Sequence, residues 1–384
     1  MAARFSLPKI DQFLLWLVGC MVAASVLPAR GAAQAVFDWA ADGAIVLLFF
    51  LHGAKLSREA VLAGIGHWRL HLMALGFTYG LFPVLGLAAA ALTAPFIDPA
   101  LAMGLLFLAL LPSTVQSSIA FTALAGGNVA AAVCSASLSN LIGIVLTPLL
   151  VAVFIHSGGP AADGSGGMDG LASVQKIGTQ LLLPFLAGHL LRPVIGKWID
   201  SHKALLRPVD QSSVLLVVYS AFSAAVVNGV WSRVGLVDLA VLLAASAVIL
   251  GIVIALNGMV ARAAGLKRED AIVLLFCGSK KSLVSGVPMA GALFAPADVG
   301  VVILPLMIFH QLQLFVCAWL AGRWRSELDA AAAVVPLPPQ GEAAMLVRAG
   351  EIGLTVPDEC RAGVNANLTL LTRHARIALG EDGA

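Results

Sequence analysis

Charge is scarce in this sequence: of 384 residues, 11% are Asp, Glu, Lys or Arg, whereas 60% are hydrophobic. A water-soluble domain of this length cannot cover its surface with so few charges, so the composition excludes a soluble globule and points to an integral membrane protein. The formal net charge of +2 is small, and the basic residues fall between apolar runs. Without a clustered basic face, nucleic acid is excluded as a partner. Cysteine is sparse as well. Cys20, Cys134, Cys277, Cys317 and Cys360 show no CxxC or Cys/His spacing, which argues against a zinc site or a disulfide framework and makes them small apolar fillers. Carboxylates are missing from the apolar interiors, since Asp42, Asp210 and Asp270 all fall near run ends. Neither a carboxylate proton relay nor a carboxylate cation site is therefore expected. His52, His156, His189 and His310 are not spaced with a nucleophile or with metal ligands, which argues against an embedded enzyme and against a bound metal or organic cofactor.

What is abundant is long apolar sequence. Runs able to cross about 30 Å of hydrocarbon, roughly 20 residues each, lie near 11–28, 38–54, 72–92, 101–125, 129–156, 173–192, 212–230, 237–261, 271–294 and 299–322. These ten segments predict an all-α, polytopic transmembrane domain over residues 1–325. The glycine-rich stretch His156–Gly170 follows the fifth segment and separates two halves, 11–156 and 173–322. Because each half holds an odd number of spans, the second must enter the membrane from the opposite face, and any internal repeat is an inverted one. One set of alternate loops carries Arg4, Lys9, Lys55, Arg58, Arg69, Arg192, Lys197, Lys203, Arg207, Arg262, Lys267, Arg268, Arg323 and Arg325, while the other carries Arg30 and Arg233. Positive flanks stay on the cytoplasmic side, so both termini are expected there, in a cell's inner (cytoplasmic) membrane. Arg4 and Lys9 before the first run, with Gly31-Ala32-Ala33-Gln34-Ala35 after it, would also suit a signal peptide. A retained first helix is preferred, because cleavage would leave the first half one span short. Residues 326–384 are charged and proline-containing, and the Ala330–Val335 run is too short to span. A flexible cytoplasmic extension is expected, with a regulatory domain as the alternative.

Two segments at corresponding places in the halves are interrupted. The fourth reads Leu111-Pro112-Ser113-Thr114-Val115-Gln116-Ser117-Ser118, and the ninth reads Cys277-Gly278-Ser279-Lys280-Lys281-Ser282. Irregular backbone at membrane depth is tolerated where protein or a watery cavity satisfies it, so paired breaks at Pro112 and Gly278 mark a midplane binding site. Lys280 and Lys281 lie about ten residues into their span, where a charge costs about 3 kcal/mol or more. At the start of a second half-helix, free N–H groups add to two ammonium charges and make a site for an anion. The bland reading is that both lysines snorkel to the lipid surface. Ser113, Thr114, Gln116, Ser117 and Ser118 can replace the hydrogen bond removed by Pro112 or face a cavity. Any single hydroxyl is as readily explained by a bond to its own helix. His310, Gln311 and Gln313 sit centrally in the tenth span, where His310 and Gln313 share a face at i, i+3. A histidine there could relay protons, and an interhelical hydrogen bond is the plainer role. Asn128, Ser137, Ser139 and Asn140, with Asn228 and Asn257, have the same two readings, and Gly126-Gly127-Asn128 reads first as a tight turn.

Pro112 to Ser118, Gly127-Asn128-Val129, Thr147-Pro148, Gly278-Ser279-Lys280-Lys281-Ser282 and Phe309-His310-Gln311 together resemble the bile acid:sodium symporter superfamily, in its divergent bacterial sodium-symporter-like branch. The similarity covers about residues 11–322. It implies ten helices in two inverted five-helix repeats, a panel and a core, with discontinuous helices four and nine crossing in the core. It also implies Na+ as a coupling ion, with Ser117, Ser118 and Ser137 as what remains of its ligands. The pattern departs where the family places a glutamate two residues before the helix-nine glycine, here Phe276, and Gln-Asn-Ser after it, here Lys280-Lys281-Ser282. Ala132 and Ala136 stand where it places hydroxyls. The expected function is secondary transport of a small organic anion through the lipid bilayer, with Lys280, Lys281, Ser279, Ser282, Ser113, Thr114, Gln116, Asn128, Asn140, His310 and Gln311 as substrate-binding residues. A regulator of ion flux that does not itself transport is the alternative.

Overall fold

A computed structural model describes residues 12–55, 67–156, 178–333 and 338–379, and every regular element among them is helical. Among the described residues, seven helices are long and apolar enough to cross a membrane. The N-terminal run forms α1 (Gln12–Val26), and Gly31, at φ +57, turns the chain into α2 (Ala32–Lys55). A long helix α3 (Trp68–Thr93) follows, and it contains a π-helical turn at Phe77–Leu81. Asp98 caps α4 (Pro99–Leu110), its Oδ1 accepting from the Ala100 N–H at 2.8 Å. That helix stops because Leu111 precedes a proline and is extended, at φ −78 and ψ 157. Residues 111–115 are irregular, and the chain resumes as α5 (Gln116–Leu124).

Gly126, at φ +71, makes the expected turn into α6 (Val129–Val151), which a π turn prolongs to His156. The predicted boundary stretch beyond His156 lies outside the described residues, as do Arg4, Lys9, Arg58 and part of Ala330–Val335. The second half runs through α7 (Leu183–Ser201), α8 (Lys203–Val227), the short α9 (Val230–Arg233) and α10 (Leu236–Ala263). It continues with α11 (Arg268–Gly278), α12 (Leu283–Leu293) and α13 (Pro296–Ala333). Several boundaries differ from the hydropathy reading, since α2 starts six residues early and α13 runs on to Ala333. The α7 helix continues past Arg192, and α8 begins at Lys203 rather than near 212.

Residues 1–322 form one compact unit. The paired segments α11 and α12 are its most enclosed stretch, 94% buried over their apolar window. Leu190, Val194 and Leu236, by contrast, are at least 75% exposed on the outside. Apolar side chains facing outward and a polar break sealed inside are the arrangement expected in lipid, and the chain is a multi-pass membrane protein. Glycines permit the closest helix approach: a Cβ on Gly53 of α2 would collide with the Phe185 carbonyl, and one on Gly188 of α7 with that of Phe50. Residues 323–384 form a second unit containing α14 (Glu342–Glu351) and α15 (Asp358–Leu379), joined by an Arg361–Glu342 ion pair.

Candidate functional site

A broken helix leaves backbone groups without their usual partners, and buried groups of this kind must find others. The two breaks do so by exchange. The Ser282 N–H donates to the Pro112 carbonyl at 2.9 Å, which joins the breaks directly. At the end of α11 the Cys277 and Phe276 carbonyls accept from the hydroxyls of Ser113, at 2.6 Å, and Ser118, at 2.8 Å. The hydroxyls predicted at the first break thus serve the second. The Ser113 N–H donates to Ser139 Oγ at 3.1 Å and its carbonyl accepts from Asn140 at 2.7 Å. Thr147, on the same helix α6, donates to the Leu110 carbonyl at 2.8 Å.

Lys281 completes the first break. Its Nζ donates to the carbonyls of Thr78, Ala109 and Leu111 at 2.8, 2.8 and 2.7 Å. Each carbonyl is available for a local reason. The π turn sends the Phe82 N–H to Phe77, and the following Pro83 has no N–H to give, so Thr78 is left without a helical donor. Ala109 loses its donor because the Ser113 N–H goes to Ser139, and Leu111 lies in the break itself. Three acceptors match the three N–H bonds of an ammonium, which also faces the negative end of the α4 dipole. The side chain of Gln313 clips the Lys281 backbone from behind, accepting its N–H at 2.8 Å and donating to its carbonyl at 2.9 Å.

Lys280 is equally buried and has no hydrogen-bond partner at Nζ. Its ammonium lies 4.0 Å from the centroid of the Phe121 ring and 5.2 Å from that of Phe276, the geometry of a cation–π contact. Neither lysine snorkels.

Beside the breaks is a cavity of about 810 Å³. It falls within the range of roughly 300–1,000 Å³ usual for small-molecule sites. Of the residues the sequence singled out, Thr114, Gln116, Ser117, Ser137, Asn140, Ser282, His310 and Gln311 line it. Ser113, Ser118, Ser279, Lys280 and Lys281 do not. Ser279 bonds back to the Leu275 carbonyl at 2.6 Å, and Asn128 is the N-cap of α6, accepting from Ala131 and donating to Asp270, each at 3.1 Å. Gln311 Nε2 is a buried donor without a partner, on a residue of the cavity wall. Phe121 belongs both to that wall and to the slot holding Lys280.

The wall also contains residues not anticipated as site members: Phe49 and Phe185 among the apolar ones, and His52, Lys55, Arg207 and Asp210 among the polar ones. Lys55 and Asp210 form an ion pair between α2 and α8. Asp210 was placed at a run end from the sequence. It lies inside α8, because that helix starts seven residues earlier at Lys203, and Asp210 is a carboxylate of the cavity wall. Among the described residues no three His, Cys, Asp or Glu gather around a possible metal position.

With this geometry in place, comparisons with known proteins become informative. The profile of the SBF-like CPA transporter family matches residues 11–326. An uncharacterized protein of Pseudomonas aeruginosa is 52% identical over 329 residues, 85% of this chain and 97% of its own length. YfeH of Escherichia coli, named as a candidate symporter, is 51% identical over 320 residues, covering 83% and 94%. Sodium/bile acid cotransporter 7 of Danio rerio is 27% identical over 300 residues, covering 74% and 85%.

Proposed function

The chain belongs to the SBF-like CPA transporter family, and on that premise we propose that it carries a small organic anion across the cytoplasmic membrane by alternating access. It is a transporter and not an enzyme; the anion, the cycle and the membrane are our reading. The observation that carries the anion is Lys280, a fully buried ammonium with aromatic faces and no hydrogen-bond acceptor, next to the cavity wall. A buried charge without acceptors leaves its field largely unspent. At roughly 7 Å and an effective dielectric constant of about 20, it would attract an anion in the cavity by about 2 kcal/mol. Gln311 Nε2 supplies a free donor for the anion's oxygens, while Phe49, Phe185 and Phe315 suit an apolar body.

The cycle rests on ten spans in two inverted repeats, 11–156 and 173–322, within a transporter domain over 1–325. Packing supports this order: α1 lies on α8 as α7 lies on α2, and α3 lies on α4 as α10 lies on α11. The pairs α4/α5 and α11/α12 then act as the crossing helices of a core that rocks against a panel of α1, α2, α7 and α8. The basic loops favour both termini in the cytoplasm, with 326–384 read as a cytoplasmic extension. Sodium, named in the cotransporter relatives, enters as the coupling ion to be tested.

A thermal-shift screen of the purified protein against cholate and a set of mono- and dicarboxylic acids, each with and without sodium, identifies the cargo. Uptake of that acid into proteoliposomes should fall some tens-fold in Lys280→Met, with a melting temperature near that of the wild type. Unchanged uptake would remove Lys280 from the site. A second reading, a regulator of ion flux that carries nothing, is favoured by Ala132, Ala136 and Phe276 where ion-binding side chains were expected. It requires that no acid shifts the melting temperature.

A further inference from the structure

We infer that Lys281 is a tethered cation that stands in for a mobile coupling ion at the crossing of the two broken helices, so the protein has no need to bind sodium there. The inference rests on the transporter reading only for its consequence, an anion carrier that is not driven by sodium. The structural claim stands on the cage itself.

The groups a sodium ion would need at the crossing are already engaged. An alkali ion in protein is held by several oxygens, commonly carbonyls and a carboxylate. The three free carbonyls here, Thr78, Ala109 and Leu111, converge on the Lys281 ammonium. Those of Phe276 and Cys277 are taken by Ser118 and Ser113. Ser117 donates to Thr114 Oγ1 at 2.9 Å, and Thr114 and Ser118 are 3.0 Å apart, so the remaining hydroxyls bond one another. Among the described residues, none of these hydrogen-bond partners at the crossing is a carboxylate, and Ala132 and Ala136, both fully buried on the adjoining face of α6, offer no oxygen from their side chains. The cation requirement of the crossing is nevertheless real. Three carbonyl oxygens from α3, the end of α4 and the break itself meet in a fully buried space, where their mutual repulsion and the α4 dipole both call for positive charge. Lys281 supplies it covalently, and Gln313 fixes the backbone from which it reaches.

The cage has a consequence that a purely structural lysine would lack. Shortening the side chain to alanine removes the charge and opens a space of matching size, while the three acceptors stay directed at a common centre. Acceptors 2.7–2.8 Å from that centre suit ammonium and potassium better than the smaller sodium ion. The Lys281→Ala variant should therefore become a monovalent-cation-binding protein.

The experiment measures the melting temperature of purified wild type, Lys281→Ala and Lys281→Met in choline, sodium, potassium and ammonium chlorides at equal ionic strength. It also measures equilibrium binding of radioactive sodium to the wild type. Wild type should be indifferent to the cation and bind no sodium saturably. Lys281→Ala should melt lower in choline and regain several degrees, saturably, with ammonium and potassium ahead of sodium. Lys281→Met, which fills the space with an apolar chain, should melt lower and stay unresponsive. Saturable sodium binding by wild type overturns the proposal, and so does an alanine variant that no cation restores. If that variant does not fold, the sodium-binding arm still decides. All readouts are independent of uptake, so a wild type that transports no acid would defeat the transporter reading and leave the cage intact.

Discussion

Lys281 and Lys280 are neighbours in the chain and both are fully buried, yet one ends among three carbonyl oxygens and the other between two aromatic rings. The first environment consumes the charge. Each N–H has an acceptor, the acceptors lack other donors, and the helix end they belong to gains an opposite charge. The second environment tolerates the charge without neutralising it, because a ring face attracts a cation, by about 2 kcal/mol or more when desolvated, but accepts no N–H bond in the manner of a carbonyl oxygen. Adjacent residues of one type can therefore have different duties, one holding the broken helices together and the other holding a potential beside the cavity. Burial alone does not separate these roles, but the partner atoms do.

The largest break in this comparison comes from removing the charge-consuming partner. Lys281→Met strands three buried carbonyls, at about 1–3 kcal/mol for each that water cannot reach. A loss of at least about 3 kcal/mol is expected, read as a fall in melting temperature and as easier proteolysis near the breaks. Ser113→Ala comes next. It strips the Cys277 carbonyl of its donor but leaves the bonds of the Ser113 backbone to Ser139 and Asn140, so about 1–2 kcal/mol should be lost. Lys280→Met is expected within about 1 kcal/mol of wild type, since no acceptor is left behind and a methionine packs well against Phe121 and Phe276. A Lys280 variant as unstable as the Lys281 variant would erase the distinction.

Much of this division was not legible before the structure. Pro112 and Gly278 marked both breaks, because loss of a helix hydrogen bond is a local property of the sequence, whereas of the polar residues after them only Thr114, Gln116, Ser117 and Ser282 reach the cavity wall. The depth of the two lysines was legible for the same reason. The direction of each ammonium was not, since that of Lys281 depends on a carbonyl of α3, 203 positions away and released by the π turn before Pro83, and that of Lys280 on the ring of Phe121 in another helix. Asn128 looked like a cavity residue and proved to be a helix cap, a role its place after two glycines already suited. Asp210 was missed because hydropathy starts the seventh span only where the apolar run begins. The first two turns of α8 are polar on the side that lines the cavity, so a water-facing helix start looked like a loop.

The smallest expected effect lies at the far end of the cavity wall and sharpens the comparison by its opposite sign. Lys55 and Asp210 line the cavity with side chains 28% and 18% exposed, and they pair with each other instead of with backbone. A pair that open to solvent is worth about 0.2–1 kcal/mol, so Asp210→Asn should hardly move the melting temperature. Its effect on an anionic cargo should be favourable. The substitution removes a negative charge from the wall and frees the Lys55 ammonium, where Lys280→Met removes a positive one. Affinity for the acid found in the thermal-shift screen should rise a few-fold at low salt, and the gain should vanish as ionic strength grows and screens the partly exposed pair. The deficit of Lys280→Met should persist at high salt, because that ammonium is sealed behind Phe121 where ions do not enter. Equal salt sensitivity in the two variants would mean that both charges act from the water, and that Lys280 is not a buried source of the anion's attraction.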